Sequence, residues 1–249
     1  MSIQQEKFKE IANAIRSKTG EMGLIKPADF ADKVDEVYEA GKQSEYDNFW
    51  DVYQQNGERN DYKNAFGGLS WNATTFKPKY DINPTGSAYM MFANWGVQNL
   101  AQLIKNSGIK IDYSGVTQTT LMFYLGGISD VGTVDLTGAS TLQQCFYGCY
   151  NLRNIHLILR ETGNQSFSNP FYSNPELVTL TIEGVIGRNG FDVSGSTKLS
   201  PKSVSGIVKA LKDYSGSSST YTITLGTTNL AKLTNAEKVT ATQKGWTLA

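Results

Sequence analysis

One histidine, His156, stands in the 249 residues. Any serine–histidine triad would have to run through that single imidazole, and a zinc site built on several histidines is excluded. His156 lies between Ile155 and Leu157 in an alternating stretch that points it away from both. A surface or groove-lining histidine is therefore expected, not a catalytic one. The acids could form pairs, Asp130 with Asp135 or Glu176 with Glu183, along one face of the chain. Their spacing does not select a glycosidase-type pair. Gly67-Gly68 and Gly126-Gly127 lack a Walker Lys-Ser/Thr and a dinucleotide-binding frame, so phosphate chemistry is not expected there. Two cysteines, Cys145 and Cys149, are too few for a disulfide scaffold. The expectation is that the chain has no catalytic residue, metal ligand or cofactor.

Aromatic side chains offer a different chemistry. Trp95, Tyr124, Tyr147, Tyr150 and Tyr172 each follow one of four phenylalanines at a short interval. They can pack the turns they sit on. They can also form a ladder that stacks on sugar rings or docks a protein, because aromatics supply large contact area at low entropic cost. These five are the candidate ligand-binding residues.

The elements that must hold them show a degenerate repeat. Phe92, Phe123, Phe146 and Phe171 are separated by 31, 23 and 25 residues. Leu152, Ile155 and Leu157 follow Phe146 at the same offsets at which Leu177, Leu180 and Ile182 follow Phe171. Val131, Val134 and Leu136 follow Phe123 as the same triplet after a two-residue insertion, and Leu100 and Leu103 follow Phe92 more loosely. The pattern predicts one short strand per repeat, each repeat stacking on the next with its Phe inside.

The segment FYGCYNLRNIHL resembles the BspA-type leucine-rich repeat, with Phe146, Cys149, Leu152, Ile155 and Leu157 on its pattern. The Phe171 repeat fits except that Asn174 stands where the family has Cys. By that resemblance Cys149 is a buried structural thiol. The wider chain resembles repeat proteins encoded by phages and prophages of gut Firmicutes, in AIRSKTGEMGLIKPADFADKVDEVYEAGKQSEYDNFWDVYQQNG, in AFGGLSW…FKPKYDINPTGSAYMMF and in TLGTTNLAKLTNAEKVTATQKGWTLA. The resemblance implies a tail, baseplate or surface-recognition component.

Flanking segments read differently. Ile3, Phe8, Ile11, Ala12 and Ile15 make a helical stripe that Gly20 closes, and a second helix can start near Pro27. Phe30, Val34 and Val37 step as a short seam, and Tyr46, Phe49, Trp50 and Tyr53 continue an apolar face. Two readings stay open: a helical hairpin packed on its own body, or a stalk that joins two or three copies. Beyond Leu199, Ser200-Pro201 starts a helix bearing Val204, Ile207, Val208 and Leu211. A strand at Tyr221–Leu225, a helix over 229–244 and a last strand at 246–248 follow.

Net charge is zero, with 23 basic and 23 acidic residues, which excludes a uniformly basic nucleic-acid binder. The zero conceals a gradient. Residues 1–62 carry net −5, residues 63–197 are neutral, and residues 198–249 carry net +5. The C-terminal lysines are scattered, so a solvated face is expected of them. The N-terminal residues lack the apolar run of a secretory leader, and nowhere is there an apolar run of membrane-spanning length.

The expected fold class is α+β: N-terminal helices over 1–62, a short leucine-rich-repeat-like solenoid over 63–197, and an α/β cap over 198–249. The expected function is non-enzymatic. It is that of a phage tail, baseplate or receptor-binding protein, made in the host cytoplasm and carried in the virion. The expected partners are further copies of itself, as a dimer or trimer, other tail proteins, and a host-surface glycan or protein. A BspA-like bacterial adhesin is the alternative, and a carbohydrate-active enzyme stands third.

Overall fold

Four phenylalanines spaced across 80 residues of sequence end up in one continuous stack. The computed structural model describes residues 13, 17, 65–66, 76–78, 80–96 and 99–249. The chain divides into two compact units, Met1–Val52 and Tyr53–Ala249, and every element named below belongs to the second. The expected N-terminal helices, with Phe30, Val34, Val37, Tyr46, Phe49, Trp50 and Tyr53, lie outside the described residues.

Parallel strands are the common motif. β1 (Gly86–Ser87) pairs with β2 (Val116–Gln118). β3 (Asp130–Asp135), β5 (Asn154–Ile158) and β7 (Thr179–Glu183) form the one three-stranded sheet among the described residues, in that order. β4 (Thr141–Gln143) pairs with β6 (Ser166–Ser168), and β8 (Tyr221–Ile223) with β9 (Trp246–Leu248). Among the described residues of this unit they are accompanied by α1 (Leu100–Ser107), α2 (Pro201–Ala210), α3 (Thr227–Leu230) and α4 (Asn235–Gln243).

This corrects the expected fold class. The described residues form a series of small parallel sheets with few, short helices. They do not form a leucine-rich-repeat-like solenoid under an α/β cap. The apolar triplets imply one strand per repeat feeding one shared sheet. In the molecule the triplet strands β3, β5 and β7 do share one sheet, but further strands of two or three residues, β1 with β2 and β4 with β6, form separate small sheets.

Particular elements show how. After Phe92 the expected strand is replaced by α1. Asn99 Oδ1 accepts the Gln102 N–H at 2.8 Å, and Gly108 ends the helix in the left-handed region. Leu100 and Leu103 are buried, but on a helix face. The two-residue insertion after Phe123 is followed by a bulge in β3: pairing with β5 slips between Asp130 and Thr133, where Gly132 adopts φ +70°. The helix expected over 229–244 breaks in two. Thr234 and Glu237 form a reciprocal capping box that starts α4 afresh.

Burial follows the alternation on β5 and β7. Ile155, Leu157 and Leu180 point inward and are buried, while His156, Thr179 and Thr181 face outward. The core is completed by Trp246, Val204, Ile207 and Val208 at the C-terminal end.

Candidate functional site

The phenylalanine stack sets the geometry of everything on its outer side. Phe66, Phe92, Phe123, Phe146 and Phe171 are buried, and consecutive centroids lie 5.1, 5.0, 5.0 and 5.2 Å apart with interplanar angles of at most 10°. The step is close to the roughly 4.8 Å that hydrogen bonding imposes between neighbouring strands. Main-chain bonds supply it: Phe92 N–H donates to Met122 O, Phe123 N–H to Cys145 O, and Phe146 N–H to Pro170 O.

Each of these turns is bracketed by residues in the left-handed region two before and two after its Phe. They are Met90 and Asn94, Leu121 and Leu125, Gln144 and Gly148, and Asn169 and Ser173. A non-glycine residue there carries about 1–2 kcal/mol of strain. The inter-repeat bonds offset it, since Met90, Asn94, Leu121, Leu125, Gln144, Gly148 and Asn169 all donate their N–H to the next repeat. The residue following each Phe therefore projects to the opposite side of the turn.

That outward position is Tyr124, Tyr147 and Tyr172 in three successive repeats. Tyr124 and Tyr147 have centroids 5.4 Å apart at 36°, and Tyr147 and Tyr172 are 5.1 Å apart at 20°. Tyr172 is 50% exposed, and Tyr124 and Tyr147 are half-buried. In the Phe92 repeat the position is Ala93, which is buried, so the row starts at Tyr124. Tyr150 makes no ring contact with the row and is 54% exposed.

Trp95 is placed elsewhere. It is fully buried, 4.8 Å from Phe92 and 6.1 Å from Phe76, and serves the core. Of the five candidate aromatics, the structure gathers Tyr124, Tyr147 and Tyr172 into one row, leaves Tyr150 exposed, and removes Trp95 from the surface.

The other reactive side chains are engaged or buried. His156 Nδ1 lies 3.2 Å from Thr133 Oγ1, and Nε2 lies 2.9 Å from Glu183 Oε1, all on the outer face of the three-stranded sheet. Asp130 accepts the Gly132 N–H, and Asp135 accepts the N–H and hydroxyl of Thr137. Glu176 pairs with Lys198, which holds its carboxyl below the usual range, and with Arg153. Cys145 and Cys149 are both free thiols and fully buried. Burial pushes Cys149 up to about 12 and Cys145 higher still, so neither is a nucleophile at neutral pH. Among the described residues no group of His, Cys, Asp and Glu is arranged to hold a metal.

One feature escaped the sequence reading. The C-terminal lysines look scattered along the chain, yet Lys202 and Lys209 share a face of α2 and line one groove with Thr179 and Thr181 of β7. Their seven-residue spacing on a helix was the available signal. Comparison with family models, with curated proteins and with solved structures gives no match to this chain.

Proposed function

We propose that this chain is a non-enzymatic surface-recognition protein of a phage particle, a tail, baseplate or receptor-binding component that contacts a host glycan through its tyrosine row. The observation that carries the recognition role is the row itself: Tyr124, Tyr147 and Tyr172 repeat at 5.1–5.4 Å on the solvent side of a rigid stack. Such a surface offers flat apolar faces with hydroxyls at their edges, which suits the faces and rims of sugar rings. Its rigidity limits the ordering entropy lost on binding. The buried thiols and the engaged carboxylates agree with a role in binding rather than turnover. The placement in a virion rests on the resemblance of the sequence to phage-encoded repeat proteins.

The proposal includes self-association through the N-terminal segment, in which the apolar seam at Phe30, Val34 and Val37 joins two or three copies. Mass spectrometry of purified virions from the strain that encodes the chain tests the particle assignment. Finding the polypeptide at structural abundance supports it. Finding it on uninduced cells and not in virions overturns it in favour of a bacterial adhesin.

A further inference from the structure

A groove of about 590 Å³ runs where the outer face of β7 meets the flank of α2, within the range of small-molecule sites. Thr179, Thr181 and Ile182 line one side. Lys202, Ser205, Gly206 and Lys209 line the other, and Glu237 of α4 closes it. Lys202 and Lys209 are exposed, and neither side chain forms an ion pair among the described residues. The one carboxylate is already occupied: Glu237 accepts the N–H and the hydroxyl of Thr234 at 2.8 Å each. The Ser205 hydroxyl, Thr234 and Lys209 hold it charged and below its ordinary range. Two lysines against one ionised carboxylate leave the groove with a net positive charge among hydroxyl groups.

Gly206 bears on the shape of the groove. It sits inside α2, where glycine costs about 1 kcal/mol relative to alanine. Nothing lies within 4 Å of the position its Cβ would take, so packing does not demand it. What its missing side chain provides is depth in the groove between Lys202 and Lys209.

The main chain limits what can enter. Thr179 N–H donates to Arg153 O and Glu183 O accepts the Leu159 N–H, so both face β5, while Leu180 N–H faces α2. Leu180 N–H is capped by Ser203 Oγ at 3.1 Å, and Ile186 N–H by Ala210 O at 2.8 Å. These contacts already use the strand edge beside α2, which leaves no edge for an added peptide strand. The lining carries no aromatic ring on which a base could stack.

We infer that this groove binds an anionic polyhydroxylated chain, a carboxylated sugar or a phosphate-bridged polyol, with Lys202 and Lys209 on the anion and Thr179, Thr181 and Ser205 on the hydroxyls. The site is separate from the tyrosine row and goes beyond it. The full chain is titrated calorimetrically with trigalacturonate, with a glycerol phosphate trimer, with neutral maltotriose and with hexaglutamate. One or both anionic polyols should bind saturably, maltotriose and hexaglutamate should not, and the polyol that binds identifies the source of the anion. Lys202→Ala and Lys209→Ala should each weaken binding about tenfold. Gly206→Leu should abolish it, with Gly206→Ala as the gentler variant if the leucine melts early. Binding of neither anionic polyol, binding unchanged in both lysine variants, or equal binding of hexaglutamate overturns the inference. Tyr147→Ala/Tyr172→Ala should leave this titration unchanged, so failure of the tyrosine reading is scored apart from failure of this one.

Discussion

The side chain of Asn174 accepts the main-chain N–H of Cys149 at 3.0 Å, across 25 residues of sequence. The Cys149 thiol in turn donates to Phe123 O at 2.9 Å. Each stands three residues after its own Phe, so an amide and a thiol hold equivalent places and tie one repeat to the one before it. The Asn that breaks the sequence pattern is thus a working substitute, fully buried in its repeat. Replacing it should expose the dependence. Asn174→Ala leaves the Cys149 N–H buried without an acceptor, and a loss of about 1–3 kcal/mol is expected in urea unfolding. An unshifted midpoint would show that the bond is not holding the two repeats.

Phe146 is sandwiched between Phe123 and Phe171 within the stack. Phe146→Ala removes two ring contacts and opens a cavity, and a loss of about 3–5 kcal/mol is expected. The neighbouring Tyr147→Ala, on the solvent side, should cost well under half as much. Chemical denaturation of the two variants in parallel checks the contrast, and equal losses would contradict it.

Burial of Cys149 has a pH consequence with a definite sign. Its thiol titrates near 9.0 when unfolded and is raised to about 12 in the folded chain. The resulting stability is fully present below pH 9 and falls as the pH rises from 9 toward 12. Cys145 adds in the same direction. In the native protein both thiols should resist iodoacetamide at pH 8 and react on unfolding. Rapid labelling of the folded chain would rule out the buried arrangement.

Two glycines should respond oppositely to alanine. A Cβ on Gly187 would lie 2.0 Å from Gly163 O, a main-chain atom that cannot move aside cheaply, so Gly187→Ala should destabilise by more than about 2 kcal/mol. Gly206→Ala meets open space in a helix and should stabilise by about 0.5–1 kcal/mol. Thermal melts of both variants give the comparison. A stabilising Gly187→Ala would contradict the close approach of the two chain segments.

The spacing of Phe92, Phe123, Phe146 and Phe171 was legible because a buried ring must recur wherever the chain returns to the same core. The inward face of β5 and β7 was legible for the same reason, through Ile155, Leu157 and Leu180. The division into separate small sheets was not. It depends on Leu121, Leu125, Gln144, Asn169 and Ser173 adopting left-handed turns, and none of these residue types except Asn announces that conformation. The substitution of α1 for a strand turned on Asn99 and Gly108, local caps that a repeat template ignores. At the surface, the tyrosines were found by their place after each Phe, but Trp95 was misassigned because offset alone does not fix which way a side chain points. Lys202 and Lys209 went unnoticed because the groove they line is assembled from three segments separate in sequence, on β7, α2 and α4.

The central claim is that the row of Tyr124, Tyr147 and Tyr172 is a recognition surface. The most direct measurement is binding of the purified full chain to an array of bacterial envelope oligosaccharides, with Tyr147→Ala/Tyr172→Ala alongside. The account predicts binding by the parent chain to a subset of the array, and at least about a tenfold loss in the double variant while it remains folded at the assay temperature. Equal binding by the two proteins, or no binding by the parent chain, would contradict it.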